Sequence, residues 1–482
     1  MPMPHQPYRR LVAAALAASV WFASLSPGTA TAAPSSRAGK EGAPGRADLA
    51  LRTCGSTKAL AQAPWPVFDG DAVHSGDGVD VTGTAGALHQ KWRTPQLDGA
   101  VYAQPVLAGG CLFVATEDDT VYAFGAATGV LVWRAHLAEP VTSGLPCGDI
   151  NPSGITGTPV LDAEAGELWV VVLTDGTGGA EHQLVALKTS DGQVLRRQEI
   201  AVPGRNPAAE QERSALVLDN GNVYVALGGL YGDCNDYAGA VVSVPERGGS
   251  PAYWAVPTAR EAGIWEPGGP DVLADGNLLL ADGNGAASSG QPFDESDAVI
   301  ELSPALKVAG YFAPSDWARL SADDLDLGST GPAVLPGGLA AQVGKDGVGY
   351  LVNTSRLDGI GGQLATVQVC QSGAGAYGAD AVSGNTVYFP CQGGLVAVQV
   401  KARAMHVLWR SAGGDEGSPV IAGGRIFEET GSGQLQAFSP TTGRVLQALS
   451  FSSPVTHFPW LVAVGRTLYA PDGTSVVALS GL

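Results

Sequence analysis

The chain has 482 residues, 45% hydrophobic and 15% charged, which suits a large buried core and excludes a disordered polymer. Basic residues number 27 and acidic residues 46, a formal charge of −19 that speaks against nucleic acid and anionic lipid as partners. Glycine (67) and proline (32) are spread without a collagen period, so many short strands joined by tight turns are expected and a helical bundle is not.

Arg9-Arg10 precede an apolar run from Leu11 to Leu25, and Ala30-Thr31-Ala32 offers a small-residue cleavage site. Residues 1–32 therefore read as a signal peptide, and the mature protein is expected to be secreted. The apolar run is short and is followed by Pro27-Gly28, so a membrane span is not expected. Residues 33–64, rich in Ala, Gly, Pro and Ser through about Leu51, read as a flexible spacer. Six cysteines lie in the exported part, and an even count in an oxidising compartment reads as disulfides. No CxxC pair occurs, which argues against a cysteine zinc site. Of the fifteen pairings that six cysteines allow, Cys54–Cys111, Cys147–Cys234 and Cys370–Cys391 are preferred.

From Ala103 to His136 the sequence parses into four short strands, Pro105–Leu107, Cys111–Thr116, Thr120–Phe124 and Val130–Ala135. The turns between them carry Gly109-Gly110, Glu117-Asp118-Asp119 and Ala127-Thr128-Gly129, all residue types that accept tight conformations. The third strand recurs around Ala123, Ala186, Ser243, Glu301, Leu351, Ala397, Ala437 and Ala478, at spacings of 40 to 63 residues. Eight such units of four strands predict an all-β, eight-bladed propeller over residues 65–482. The eighth unit stops after its third strand, while Leu88–Arg93 stands alone upstream with Trp92 matching Trp133. That lone strand is expected to complete the last blade and remove the open edge.

Ala123 to Gly129 followed by Trp133 resembles the tryptophan-docking repeat of pyrroloquinoline-quinone (PQQ) propellers. Ala186 to Gly192 repeats it with Arg196 at the tryptophan position, and Ala437 to Gly443 repeats it without one. The resemblance extends over nearly all of the expected mature chain from about Trp65. It implies either a quinone- and calcium-dependent dehydrogenase of alcohols or sugars, or a non-catalytic relative that binds partners, such as the barrel-assembly lipoprotein of outer membranes. Trp92, Trp133 and Trp409 are expected to pack between blades.

On the dehydrogenase pattern, Trp265 resembles the floor under the quinone and Asn284 a calcium ligand. Asp326 resembles the catalytic base, and Lys345 in Gly344–Tyr350 would contact a quinone oxygen. Calcium would polarise the quinone while the base takes the alcohol proton. The family's glutamate ligand has no counterpart in GGLYGDCNDYAG, where Asp233 or Asp236 is the nearest acid. No two cysteines are adjacent to cap a quinone, Leu325 replaces an aromatic residue, and no CxxCH haem signal occurs. The same residues read equally as turn and cap positions of an ordinary propeller. The expected function is therefore a ligand- or protein-binding scaffold working through the channel mouth, with PQQ and calcium as the alternative. A monomer is expected.

The seven histidines show no metal-protease spacing, and no GxSxG elbow or phosphate loop occurs, so hydrolase and nucleotidase readings lack support. Asp294–Asp297 and Asp323–Asp326 lack EF-hand spacing and read as solvated turns. The loop Cys147–Pro152 is expected to line one mouth of the channel.

Overall fold

The structure is a computed structural model that describes Cys54 and residues 64–412, 417–451, 453 and 458–482. The expected signal peptide and nearly all of the expected spacer lie outside these residues. The chain forms eight antiparallel sheets, one per predicted repeat. Blade 1 comprises Val106–Ala108, Cys111–Ala115, Thr120–Gly125 and Leu131–His136, within a residue or so of the strands predicted. In five blades the pairing of the third and fourth strands shifts just after the repeat's anchor residue, at Ala123, Ala186, Glu301, Ala397 and Ala437. A recurrent bulge at one sequence position bends each outer strand alike and adds local twist.

The expected ring closure is present. His89–Arg93 pairs antiparallel with Ser475–Ser480, so Trp92 stands opposite Ala478 in blade 8. Tryptophans lock successive blades together as expected. The Trp92 indole donates to the Ala126 carbonyl of blade 1 at 3.2 Å, and Trp133 donates to Thr189 of blade 2 at 2.9 Å. Trp409 of blade 6 does the same to Pro440 of blade 7 at 2.8 Å. Arg196, at the tryptophan position of blade 2, instead lies 5.0 Å over the Trp169 ring and pairs with Glu167. The three preferred disulfides are formed, Cys54–Cys111, Cys147–Cys234 and Cys370–Cys391.

One element was not foreseen. Residues 65–79 run as a strap along the first strands of the blades. Those strands touch one another between neighbouring blades and so form the inner wall. Trp65 bridges Leu107 of blade 1, Pro66 accepts from Leu161 of blade 2, and Ala72 accepts from Val272 of blade 4. Ser75 then accepts from Val382 of blade 6, Gly78 donates to Ile421 of blade 7, and Val79 donates to Ala463 of blade 8. The strap thus follows the ring in blade order and satisfies inner-strand edges that would otherwise be unpaired. Gln104 anchors it by accepting from Trp65 Nε1 and Asp69 N, both at 2.8 Å, and donating to Asp69 Oδ1 and Leu461 O. Phe68 packs on Ala215 and Ala379, residues that lead into blades 3 and 6. Phe68 and the buried strap residues Trp65, Val67 and Asp69 therefore sit at the level of the inner strands.

Among the described residues no helix is long and apolar enough to cross a membrane. The helix Trp317–Asp323 lies between blades 4 and 5 and delivers the chain to Asp324–Asp326.

Candidate functional site

A cavity of about 550 Å³ opens at the end of the channel where the inner strands begin. It holds four of the five sequence-predicted site residues, Trp265, Asp326, Lys345 and Asp233. Asn284 stands just behind, its backbone N–H donating to Asp326 Oδ1 at 2.9 Å.

Trp265 is fixed by close backbone approach. Its Nε1 donates to Gly229 O at 3.1 Å, and Tyr237 meets the ring edge-on at 6.5 Å. A Cβ at Gly228, Gly263 or Gly283 would lie 2.5, 2.4 or 2.3 Å from the indole, so only glycine fits at all three. Asp326 is buried at 2% exposure and its Oδ2 pairs with the Lys345 ammonium. Burial pushes the Asp326 carboxyl up, and the ammonium beside it partly offsets that. Lys345 also donates to Asp324 Oδ1 at 2.9 Å, and these pairings hold its proton more firmly than usual. Locally the lysine sits where expected, in the hairpin turn between Leu339–Val343 and Val348–Asn353.

Asp233 and Asp236 diverge. Asp233 lines the pocket and accepts from the Tyr237 hydroxyl at 2.6 Å. Asp236 pairs with Arg205 at 2.9 Å. The Cys147–Cys234 disulfide and a Gly148 N–H to Tyr231 carbonyl bond at 3.1 Å join the two loops into one wall. Asp149 and Ile150, from the loop expected at the channel mouth, face the same cavity.

Sequence reasoning missed the rest of the lining. Tyr102, Arg213, Tyr377 and Phe458 all lie just upstream of an inner strand, in blades 1, 3, 6 and 8. Nothing in the repeat pattern marks them, although the shared position ahead of each first strand could have been searched for polar and aromatic residues. Arg213 lies 4.8 Å over the Phe458 ring, which stacks on Tyr377 at 6.4 Å. Burial and the nearby Glu117 and Asp149 push the Tyr102 hydroxyl up to about 12. The acidic turn Asp294–Asp297 is not a solvated loop as expected. Asp297 is fully buried and accepts from Ser321 Oγ at 2.7 Å and Leu327 N at 2.9 Å, which positions the segment after Asp326.

Eight blades closed by the N-terminal strand make the chain an eight-bladed β-propeller, with indoles docked on glycines of the next blade. Residues 55–287, just under half of the chain, match the family model described as outer membrane protein assembly factor BamB. The outer membrane protein assembly factor BamB of Burkholderia pseudomallei (strain K96243) is 25% identical over 312 residues, spanning 58% of this chain and 74% of that protein. The crystal structure of quinohemoprotein alcohol dehydrogenase from Comamonas testosteroni superposes with a TM-score of 0.65 at 15% identity, covering 88% of this chain and 82% of that one. BamB from Moraxella catarrhalis superposes at 0.55 with 14% identity, covering 82% and 98%. The structural likenesses establish the fold.

The quinone and calcium that the fold class implies can be tested against the donor set. Calcium takes six to eight oxygens and favours carboxylates. Here Asp326 is engaged by Lys345 and Asn284 N, Asp233 by Tyr237, and Asp236 by Arg205. The Asn284 side-chain oxygen is buried without a hydrogen-bond partner, a lone neutral donor. Among the described residues no three His, Cys, Asp or Glu are arranged to hold a metal ion. A tricarboxylate cofactor fits no better, because Lys345 is already shared by two acids and the pocket holds more carboxylates than cations. The residues present do not fit the cofactor pair.

Proposed function

We propose that this protein is an exported, disulfide-stapled propeller that binds a ligand or partner at its channel mouth, without redox chemistry. The observation that carries this reading is the pocket's internal pairing. Asp324 and Asp326 both pair with Lys345, whereas a dehydrogenase would need a base free to take a proton and a cation free for the quinone. The roles suggested for Trp265 as quinone floor, Asn284 and Asp233 as calcium ligands, Asp326 as base and Lys345 as quinone contact become structural roles in the pocket wall. Three disulfides support export, since such bonds persist in oxidising compartments. The relative at 25% identity is named an assembly factor, which supports binding over catalysis.

The test is calorimetric titration of PQQ into the full chain, with calcium and again with a chelator. No heat of binding in either buffer is expected. Tight, calcium-dependent binding would replace this reading with the dehydrogenase one and justify a screen of alcohols with an artificial electron acceptor.

A further inference from the structure

The three disulfides are not alike. Cys54, Cys111, Cys370 and Cys391 are each at most 2% exposed and belong to the apolar cores of the blades. Cys147 and Cys234 are partly exposed, and their neighbours Pro146, Gly148, Asn235 and Asp236 are exposed. Disulfide exchange needs an incoming thiolate to reach a sulfur, so access separates the third bond from the other two.

Its position adds a second, independent observation. Cys147 lies on the connection from blade 1 to blade 2, between Leu131–His136 and Val160–Asp162. Cys234 lies on the turn of blade 3 between Asn222–Gly229 and Ala240–Pro245. The bond therefore joins loops from two places around the ring, and both loops wall the cavity, Asp149 and Ile150 from the first and Leu230 to Asp233 from the second. The first loop is pinched at its base by backbone bonds between Val141 and Ser153, at 3.0 and 2.9 Å. Beyond that base, residues 142–152 meet the second loop through the disulfide and the Gly148 N–H to Tyr231 carbonyl bond. On the second loop Asp233 and Asn235, on either side of Cys234, have φ of +46° and +72°. Non-glycine residues persist in that region where their surroundings hold them, and here the cross-link is the covalent part of those surroundings.

We propose that the Cys147–Cys234 bond is a redox-operated latch on the cavity wall, opened by an external dithiol while the two buried disulfides stay closed. One thiolate of the dithiol attacks one of the two sulfurs, the S–S bond breaks, and the other cysteine leaves as a thiolate that takes up a proton. The second thiol of the reagent then resolves the mixed disulfide. Two electrons and two protons pass to the protein, and the reagent ends as its own disulfide. Once opened, residues 142–152 pivot on Val141 and Ser153, and the attraction between Asp149 and Arg213 limits how far they move. The inference concerns regulation of the channel-mouth site and rests on the preceding section's reading for its use.

The test treats the full, folded chain with dithiothreitol at neutral pH, traps thiols with iodoacetamide and maps them by peptide mass spectrometry. Cys147 and Cys234 are expected to be alkylated together, about tenfold or more faster than the four buried cysteines. Hydrogen exchange of the reduced chain should then speed several-fold at Gly148 and Asp233, whose amides donate to Tyr231 and Leu230. Amides between Asn222–Gly229 and Ala240–Pro245 should keep their protection. The double variant Cys147→Ser with Cys234→Ser should fold and show the same exchange pattern without reductant. Equal reduction of all three bonds, or of this one last, would overturn the proposal. Selective reduction with unchanged exchange at Gly148 and Asp233 would overturn it too, since the bond would then hold no wall. Loss of the fold in both the reduced chain and the double variant would make the bond a structural requirement and not a latch. None of these readouts involves a ligand, so their failure leaves the binding reading standing, and tight quinone binding would leave the result on the disulfide standing.

Discussion

Trp133 of blade 1 lies against Gly192 of blade 2, whose backbone φ is +73° and where a Cβ would stand 2.6 Å from the indole ring. The same pair recurs as Trp92 with Gly129 and Trp409 with Gly443, each glycine at positive φ. Two constraints therefore converge on one residue type: the turn needs the left-handed region, and the neighbouring ring needs the absent side chain. Trp133→Ala removes a buried ring and its hydrogen bond to Thr189, and is expected to cost about 3–5 kcal/mol in denaturant unfolding. Gly192→Ala should also destabilise, although it adds apolar surface. A neutral or stabilising effect there would refute the close-packing account.

Removing one member of a buried ion pair strands the other charge. Lys345→Met leaves Asp326, at 2% exposure, without its ammonium, and is expected to destabilise the fold by about 3–5 kcal/mol. Asn284 N–H still donates to the carboxyl, so Asp326→Asn keeps an acceptor there while discharging the site. The double variant Lys345→Met with Asp326→Asn should recover most of the loss. Equal stability of the single and double variants would mean that the pair contributes through packing alone.

The propeller was legible because its signal is repeated. Eight third-strand anchors declare the blade count, and the lone strand with Trp92 declares the closure. The strap was not legible, because residues 65–79 use backbone bonds to the inner strands and need no periodic side-chain pattern. Asp326 and Lys345 were found through resemblance, but their mutual pairing depends on a helix insertion and a hairpin meeting in space. Spacing along the chain does not encode that meeting. Tyr102, Arg213 and Phe458 come from separate blades and converge only once the ring closes.

Several carboxyls are buried, and burial pushes them up. Glu117 and Glu210 are raised to about 7, Asp297 to about 8 and Asp119 to about 9. Asp119 and Glu210 have no hydrogen-bond partner on either carboxyl oxygen. For each group the folded pKa exceeds the unfolded one, so its protonated form favours folding. The stabilising contribution is complete below the unfolded value near 4 and is lost as pH rises through 7 to 9. Unfolding temperature is thus expected to be highest in mildly acidic buffer and to fall steadily toward pH 9. Asp119→Asn should flatten the upper part of that decline. A stability curve that rises between pH 6 and 9 would show that these carboxyls are ionised in the fold and compensated in some other way.

The strap makes a prediction separable from all of these, because it touches the inner strands and not the blades' outer faces. Phe68 is 3% exposed against Ala215 and Ala379, and Phe68→Ala should cost about 3–5 kcal/mol through the cavity it leaves. The more discriminating readout is hydrogen exchange. Leu161, Val272, Val382 and Ile421 donate their backbone N–H groups to strap carbonyls, so a loosened strap should release these four amides first. The strand-to-strand amides of the same blades, such as those between Thr386–Cys391 and Gly394–Lys401, should keep their protection. Uniform acceleration across whole blades would mean that Phe68 supports the ring as a unit. Unchanged exchange at the four inner amides would mean that the strap is held by Trp65 and Gln104 without help from Phe68.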